Sequence, residues 1–271
     1  MTRPNNAAGV ETAVHVRSQG EVAVAELATD GPPCPHCNGT GRIVRAKDNL
    51  RVVGRCSCQR LPDRIAIFNR AGLPARHATS TLQSFEVNSA FIEVSRWRQR
   101  FEGAVQRTET MPGLVLHGGV GRGKTHLLVG LVRWMILDLG LEVRFVEFTR
   151  LLAQLREGFD KGQSDRSVMG ELVQIPVLAI DELGKGRLTE WELSVVDELV
   201  SRRYDAMLPV LATTNYRREG PSLAALPNLA EGARLTQTIG DRVGERVYSR
   251  MRDMCEFIEV GGQDYRLRER R

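Results

Sequence analysis

No run of about 18 apolar residues occurs anywhere in the chain, which excludes a hydrophobic membrane-spanning helix. The first 20 residues are polar and lack the apolar core of a secretory signal, so a cytoplasmic protein with no membrane association is expected. No repeat of about 20 to 50 residues is visible. Lysine is nearly missing: of 38 basic residues only Lys47, Lys124, Lys161 and Lys185 are lysines. Cysteine is scarce too, with five in 271 residues, yet four of them fall between positions 34 and 58.

The rest of the composition is that of a globular protein. A content of 42% hydrophobic and 26% charged residues suits one or two domains with a real core. The net charge of +5, carried mostly by arginine, is compatible with a phosphate-rich partner, and it is equally what codon bias toward arginine would leave.

One of the four lysines sits in the most informative stretch. Gly118, Gly119, Val120, Gly121, Arg122, Gly123, Lys124 and Thr125, followed by His126, fit the phosphate-binding pattern G-x-x-x-x-G-K-[ST]. A polyphosphate needs several backbone N–H groups aimed at it together, so the chain must turn tightly with no Cβ in the way. A helix that follows adds its free N–H groups and positive dipole end. Lys124 would reach the β and γ phosphates of ATP, and the hydroxyl of Thr125 would ligate Mg²⁺. Residues 113–117 read as a short buried strand and residues 125–139 as an apolar helix, the setting the motif requires.

Cys34 and Cys37 form Cys-x₂-Cys, followed by Asn-Gly, and Cys56 and Cys58 form a tighter Cys-x-Cys. Asn-Gly after the pair predicts a zinc knuckle, a turn in which backbone N–H groups face thiolates. Residues 42–53 between the pairs read as a hairpin with a turn at 47–49. Four protein ligands would leave Zn²⁺ no open position, making its role structural. His36 or His77 remains an alternative to one thiolate, and a disulfide is the competing reading, disfavoured in a reducing compartment.

The organisation follows from these landmarks: a flexible leader over 1–30, a zinc-binding module over 31–60, a helical linker over 61–110 and a nucleotide-binding domain over 111–271. A helix is predicted over 89–107. Beyond the loop, strands at 141–148, 177–180, 209–213 and 255–260 alternate with helices, and Thr149 is expected to cap one of them. Thr189-Glu-Trp-Glu192 is a capping box opening another. Alternation of this kind predicts an α/β fold, a parallel sheet covered on both faces. Cys255, at the start of the last strand, reads as a small core residue.

Asp181 and Glu182 end the buried strand at 177–180. Carboxylates there point at the γ phosphate, so Asp181 would hold Mg²⁺ and Glu182 would serve as general base toward the attacking water. Asn215, after the strand at 209–213, is placed to sense the same phosphate. Arg242, Arg246 and Arg250 recur every four residues, as on one helix face. They form either a solvated basic stripe or a site from which Arg250, or else Arg246, presents a guanidinium to the nucleotide of a neighbouring subunit.

Taken together, residues 118–125, Ile180-Asp-Glu-Leu-Gly184, Leu188-Thr-Glu-Trp-Glu192, Thr213-Thr-Asn215 and Gly244-Glu-Arg-Val-Tyr-Ser-Arg250 resemble the DnaC/DnaI-type replicative helicase loaders and their relative, the IstB transposition helper. The resemblance implies an AAA+ ATPase, a three-layer αβα P-loop domain with a parallel sheet and no separate lid. It implies self-association through the ATP sites, with Arg250 at the arginine-finger position, and ATP-dependent placement of the replicative helicase hexamer on single-stranded DNA. DnaI-like loaders carry a cysteine-rich zinc module that grips the helicase, which Cys34, Cys37, Cys56 and Cys58 look similar to. Loaders contact single-stranded DNA after the second strand, here residues 150–161 with Arg156, Phe159 and Lys161. Two other readings stand beside the loader: a transposition helper partnered by a transposase, and a zinc-anchored nucleic-acid adaptor that binds ATP only for structure.

Overall fold

The computed structural model describes residues 14–28, 37–38, 40–47, 50–160, 166–186, 188–219, 237–262 and 264–265. The chain divides into two compact units, one of residues 1–79 and 131–143, the other of residues 80–130 and 144–271.

In the first unit, β1 (Val14–Gln19) and β2 (Val22–Leu27) form an antiparallel hairpin with Val14 opposite Leu27. The expectation of a flexible leader is therefore corrected for these residues. Gly20 takes φ +59° in a two-residue turn, and the Val-rich alternation seats Ala23 and Ala25 inward. A second hairpin pairs β3 (Arg42–Lys47) with β4 (Leu50–Arg55), and the turn at Asp48 and Asn49 lies outside the described residues. Helix α1 (Leu61–Arg70) buries Leu61 and Phe68. Its Asn69 side chain accepts from the N–H of Ala25 at 2.7 Å and donates to Ala25 O at 3.1 Å, so a side-chain amide takes the place of a further strand beside β2. Residues 131–143 contribute the π-helical turn Met135–Leu139, ended by Gly140 at φ +72° and by Arg64, which donates to Leu137 O.

The second unit opens with α2 (Ser89–Arg107), capped by Asn88, whose side chain accepts from Phe91 N–H at 2.9 Å. Ala90, Val94, Trp97, Phe101 and Ala104 form its buried stripe. Trp97 donates from its indole to Gly113 O at 3.0 Å, on the strand β5 (Gly113–His117). Helix α3 (Lys124–Trp134) follows the glycine loop, and it gives way to the π turn at Met135 where the sequence predicts an unbroken α-helix. Then come β6 (Val143–Glu147), α4 (Phe148–Asp160), α5 (Arg166–Gln174) and β7 (Val177–Asp181). Thr149 lies inside α4, not at its cap; its hydroxyl donates to Glu147 instead. After them stand α6 (Glu190–Asp205), β8 (Val210–Thr214), α7 (Ile239–Val243), α8 (Glu245–Met254) and β9 (Cys255–Glu259). The capping box of Thr189 and Glu192 opens α6 as the sequence predicts.

The five strands lie in the order β6-β7-β8-β5-β9, with β5 parallel to both β8 and β9 and β7 parallel to β8. Every residue of β7 and β8 is buried, which accounts for the apolar runs at 177–180 and 210–212 that precede their polar ends. Cys255 faces this core, and burial pushes its thiol up to about 12. Among the described residues no helix is long and apolar enough to cross a membrane.

Candidate nucleotide-binding site

The site forms where β5, β7 and β8 all end on the same edge of the sheet. Directly after β5 the backbone turns at Gly118, φ +137°, so close to the next segment that a Cβ would stand 2.6 Å from Val260 O. Gly121, φ +76°, has the Asp264 carboxylate where its Cβ would be. No residue with a side chain fits there.

Lys124 begins α3 and is 93% buried, being 7% exposed, with Nζ donating to Gly118 O at 2.9 Å and Gly119 O at 2.7 Å. The ammonium thus bends back over the loop rather than out to solvent. The Thr125 hydroxyl lies 2.9 and 3.2 Å from the two oxygens of Asp181, the last residue of β7. Of the remaining loop residues, Val120 is exposed, Arg122 lies alongside Gly119, and the His126 ring turns to Thr81 O at 2.9 Å and Ser84 Oγ at 3.0 Å.

Asp181 is buried and held from two sides. Thr213, on β8, donates to its Oδ1 at 2.6 Å and accepts the N–H of Glu182 at 2.9 Å. Glu182 itself has φ +58°, a left-handed conformation that costs a non-glycine residue about 1 kcal/mol or more. Bonds from Leu183 N–H to Thr213 O, 2.8 Å, and from the Thr214 hydroxyl to Leu183 O, 2.9 Å, hold that strained turn in place. Its carboxylate pairs with Lys185, whose pKa the hydrogen bond raises. Asn215 follows β8 on the same edge, with its side chain exposed. His117, at the mouth of β5, has its pKa lowered chiefly by burial; Glu259 opposes this, and Arg218 and Lys124 reinforce it.

The three arginines do not share one helix face. Gly244, φ +88° and ψ 147°, breaks the segment between α7 and α8. Arg242 instead donates to Gly184 O at 3.1 Å and lies over the Tyr216 ring at 5.0 Å, beside the Glu182 turn. Arg246 and Arg250 both reach Asp197 on α6, at 3.7 and 3.3 Å. Arg156 pairs with Glu192 at 3.1 Å and covers Trp191, while the side chain of Phe159 and all of Lys161 lie outside the described residues.

At the cysteine pairs, Cys37 is buried and its Sγ accepts the N–H of Gly41 at 3.2 Å, with Asn38 at φ +47° in the turn. Cys56 is buried and donates its N–H to Gly41 O at 2.8 Å. Among the described residues no group of three or more His, Cys, Asp and Glu is placed to hold a metal ion. Cys34, His36 and the side chain of Cys58 lie outside those residues.

Three contributors make contacts in the site that no local stretch of sequence states. Thr213 becomes a partner of Asp181 only through the β7–β8 register. Phe85 packs on Gly123 and stands 5.6 Å from the His126 ring and 6.1 Å from Tyr265. Tyr265 in turn donates its N–H to Gly121 O at 3.0 Å. Lys185 did carry one signal, as one of only four lysines in the chain.

A glycine loop joining a central parallel strand to a helix, with a buried Asp at the end of the next strand but one, defines a P-loop ATP-binding protein. Residues 66–271 match the family described as IstB-like ATP binding protein, and the chain belongs to that family. It is 23% identical over 186 residues to the replicative helicase loader DnaC of Escherichia coli (strain K12), covering 66% of this chain and 67% of DnaC. An ATP-binding protein in an insertion sequence of Mycobacterium tuberculosis (strain ATCC 25618 / H37Rv) is 28% identical over 158 residues, 58% of this chain and 57% of that protein. The crystal structure of the DnaC helicase loader has the same fold, with a TM-score of 0.55 at 24% identity over 69% of this chain and 99% of that one. The chain is thus an AAA+ P-loop ATPase of the IstB/DnaC kind.

Proposed function

We propose that the chain uses ATP hydrolysis to switch its hold on a replicative DNA helicase hexamer and to place that helicase on single-stranded DNA. The observation that carries the hydrolytic part is the hydrogen-bonded array from Thr125 through Asp181 and Thr213 to the strained Glu182. Likeness to the helicase loader of Escherichia coli supports the partner.

In this reading the loop N–H groups and Lys124 bind the β and γ phosphates, and the residues of 118–126 form the cradle. Thr125 and Asp181 fit Mg²⁺: a hydroxyl and a carboxylate sit 2.9 Å apart at the start of α3, a pair of hard oxygen donors. When bound, that ion neutralises charge on the phosphate oxygens. Glu182 takes a proton from the attacking water, and Asn215 orients it from just past the end of β8. Arg250, released from Asp197, reaches the nucleotide of a neighbouring subunit. Arg156 with the segment after it contacts the DNA strand.

Zn²⁺ held by Cys34, Cys37, Cys56 and Cys58 would tie together the first unit's second hairpin. The turn at Cys37, with Gly41 N–H on the sulfur, supports it. Metal analysis of the purified protein tests this reading: about one zinc per chain is expected, falling in a Cys37→Ser variant.

The second reading, a transposition helper, is favoured by the insertion-sequence relative. Native mass spectrometry with the replicative helicase from the same source, with ATP, ADP or neither, separates the two. A complex that changes with nucleotide and is altered in Lys124→Ala supports the loader. No complex under any condition counts against it and makes the transposase the partner to test.

A further inference from the structure

We propose that Lys185 is a latch on the general base, with Glu147 as the seat to which the lysine moves when the site fires; this rests on the ATPase reading above. Lys185 Nζ is paired with Glu182 Oε2 and lies 3.9 Å from Glu147 Oε1, so one ammonium stands between two carboxylates. Glu147 ends β6, and the Thr149 hydroxyl steadies its carboxylate at 2.7 Å. Glu182 follows β7. The two acids therefore stand at the ends of different strands, and the lysine reads the distance between them.

The turn bearing Lys185 and Glu182 is fixed at its backbone. Lys185 N–H donates to Glu182 O at 3.0 Å, Leu183 is tied to Thr213 and Thr214, and Arg242 binds Gly184 O. With the main chain anchored, the freedom left is in the side chains. Lys185 is half exposed, so moving from the hydrogen-bonded Glu182 carboxylate to that of Glu147 exchanges one solvent-screened pair for another.

The chemistry makes that choice matter. In hydrolysis an O–H bond of water breaks and its proton goes to the Glu182 carboxylate. The water oxygen bonds to the γ phosphorus, and the bond to the bridging oxygen breaks, leaving ADP with the electron pair. A carboxylate oxygen that already accepts from an ammonium is a poorer acceptor of that proton. With Lys185 on Glu182 the base is restrained; with Lys185 on Glu147 it is available. Because α4 begins at Phe148, immediately after Glu147, a load on α4 shifts the balance between the two seats.

Steady-state ATPase assays test the latch, with Lys124→Ala defining the background. Lys185→Met is expected to raise kcat by about two- to fivefold, the worth of one exposed ion pair, with KM for ATP unchanged. Lys185→Arg keeps wild-type turnover by restoring the pair. Glu147→Gln removes the second seat and lowers kcat, an effect that disappears when Lys185→Met is also present. A fall or no change in kcat for Lys185→Met, or a rise in its KM, overturns the proposal. Should wild type show no turnover above Lys124→Ala, the ATPase reading fails. The latch is then judged by a double-mutant cycle of Tm values between Lys185→Met and Glu182→Gln: additive shifts overturn it, and non-additive shifts sustain the pair.

Discussion

The hydroxyl of Thr213 stands 2.6 Å from Oδ1 of Asp181 while accepting the N–H of Glu182, so a single threonine on β8 sets both carboxylates at the end of β7. Thr213→Val keeps the shape and removes both bonds. A drop in kcat of about 10- to 100-fold is expected, the range seen when a group that orients a ligand or catalytic residue is lost. KM for ATP should change little, because the loop is untouched. ATPase kinetics alongside a melting curve check this, and a kcat within twofold of wild type contradicts it.

Glu182→Gln isolates the base from the fold. Glutamine fits the same space but takes no proton, so turnover should fall by about 10² or more while ATP remains bound. Retained ATP, measured on protein recovered by gel filtration, distinguishes this from a folding defect. Undiminished turnover would mean that another group activates the water.

Gly121→Ala strikes the loop twice. It forces a Cβ into a backbone at φ +76° and into the Asp264 carboxylate. Nucleotide affinity should fall at least about tenfold, with a stability loss of about 1 kcal/mol or more. Isothermal titration with ATP analogues reads the first, urea denaturation the second.

Arg203 on α6 is fully buried and faces no carboxylate among its hydrogen-bond partners. Its guanidinium instead gathers the carbonyls of Leu172, Ile175 and Pro209 at 2.6, 2.9 and 2.8 Å, closing the C-terminal end of α5 and the entrance to β8. Burial lowers its pKa to about 10. Arg203→Met leaves those carbonyls without a donor and should cost about 3 kcal/mol in a urea titration. Arg203→Lys should recover only part of it, since an ammonium lacks the planar fork.

His117 gives the fold an acid limit. Burial depresses its folded-state pKa, so the unfolded chain binds the proton more readily. For a base the contribution is present while the ring is neutral and is lost as pH falls through the ordinary imidazole range. Denaturation midpoints should decline there, and His117→Gln should flatten that decline.

Much of the site was legible because its signals are contiguous. The loop of 118–125, the buried run ending in Asp181 and Glu182, and the Thr189–Glu192 capping box each occupy one short stretch whose residue types state their job. What the sequence hid depends on register or on distant chain. Thr213 belongs to a stretch that the sequence singles out, but its contact with Asp181 is hidden until Ile180 is set beside Ala212. The hairpin at 14–27 is held partly by Asn69, and its weak alternation alone does not reveal that support. The arginine periodicity misled because Gly244 turns the chain between two of its members.

The strand order has a consequence for how the protein is made. The pairing of Gly113 with Cys255 and of Leu114 with Leu211 means that β5 waits for neighbours encoded far downstream. On the ribosome the phosphate loop emerges with its residues complete and its walls absent, an apolar strand with both edges open. Nucleotide therefore cannot template the early steps. It can act only as a late fastener, stabilising the assembled sheet once β9 has docked. Chaperone dependence should accordingly be greatest for nascent chains stalled between β5 and β9.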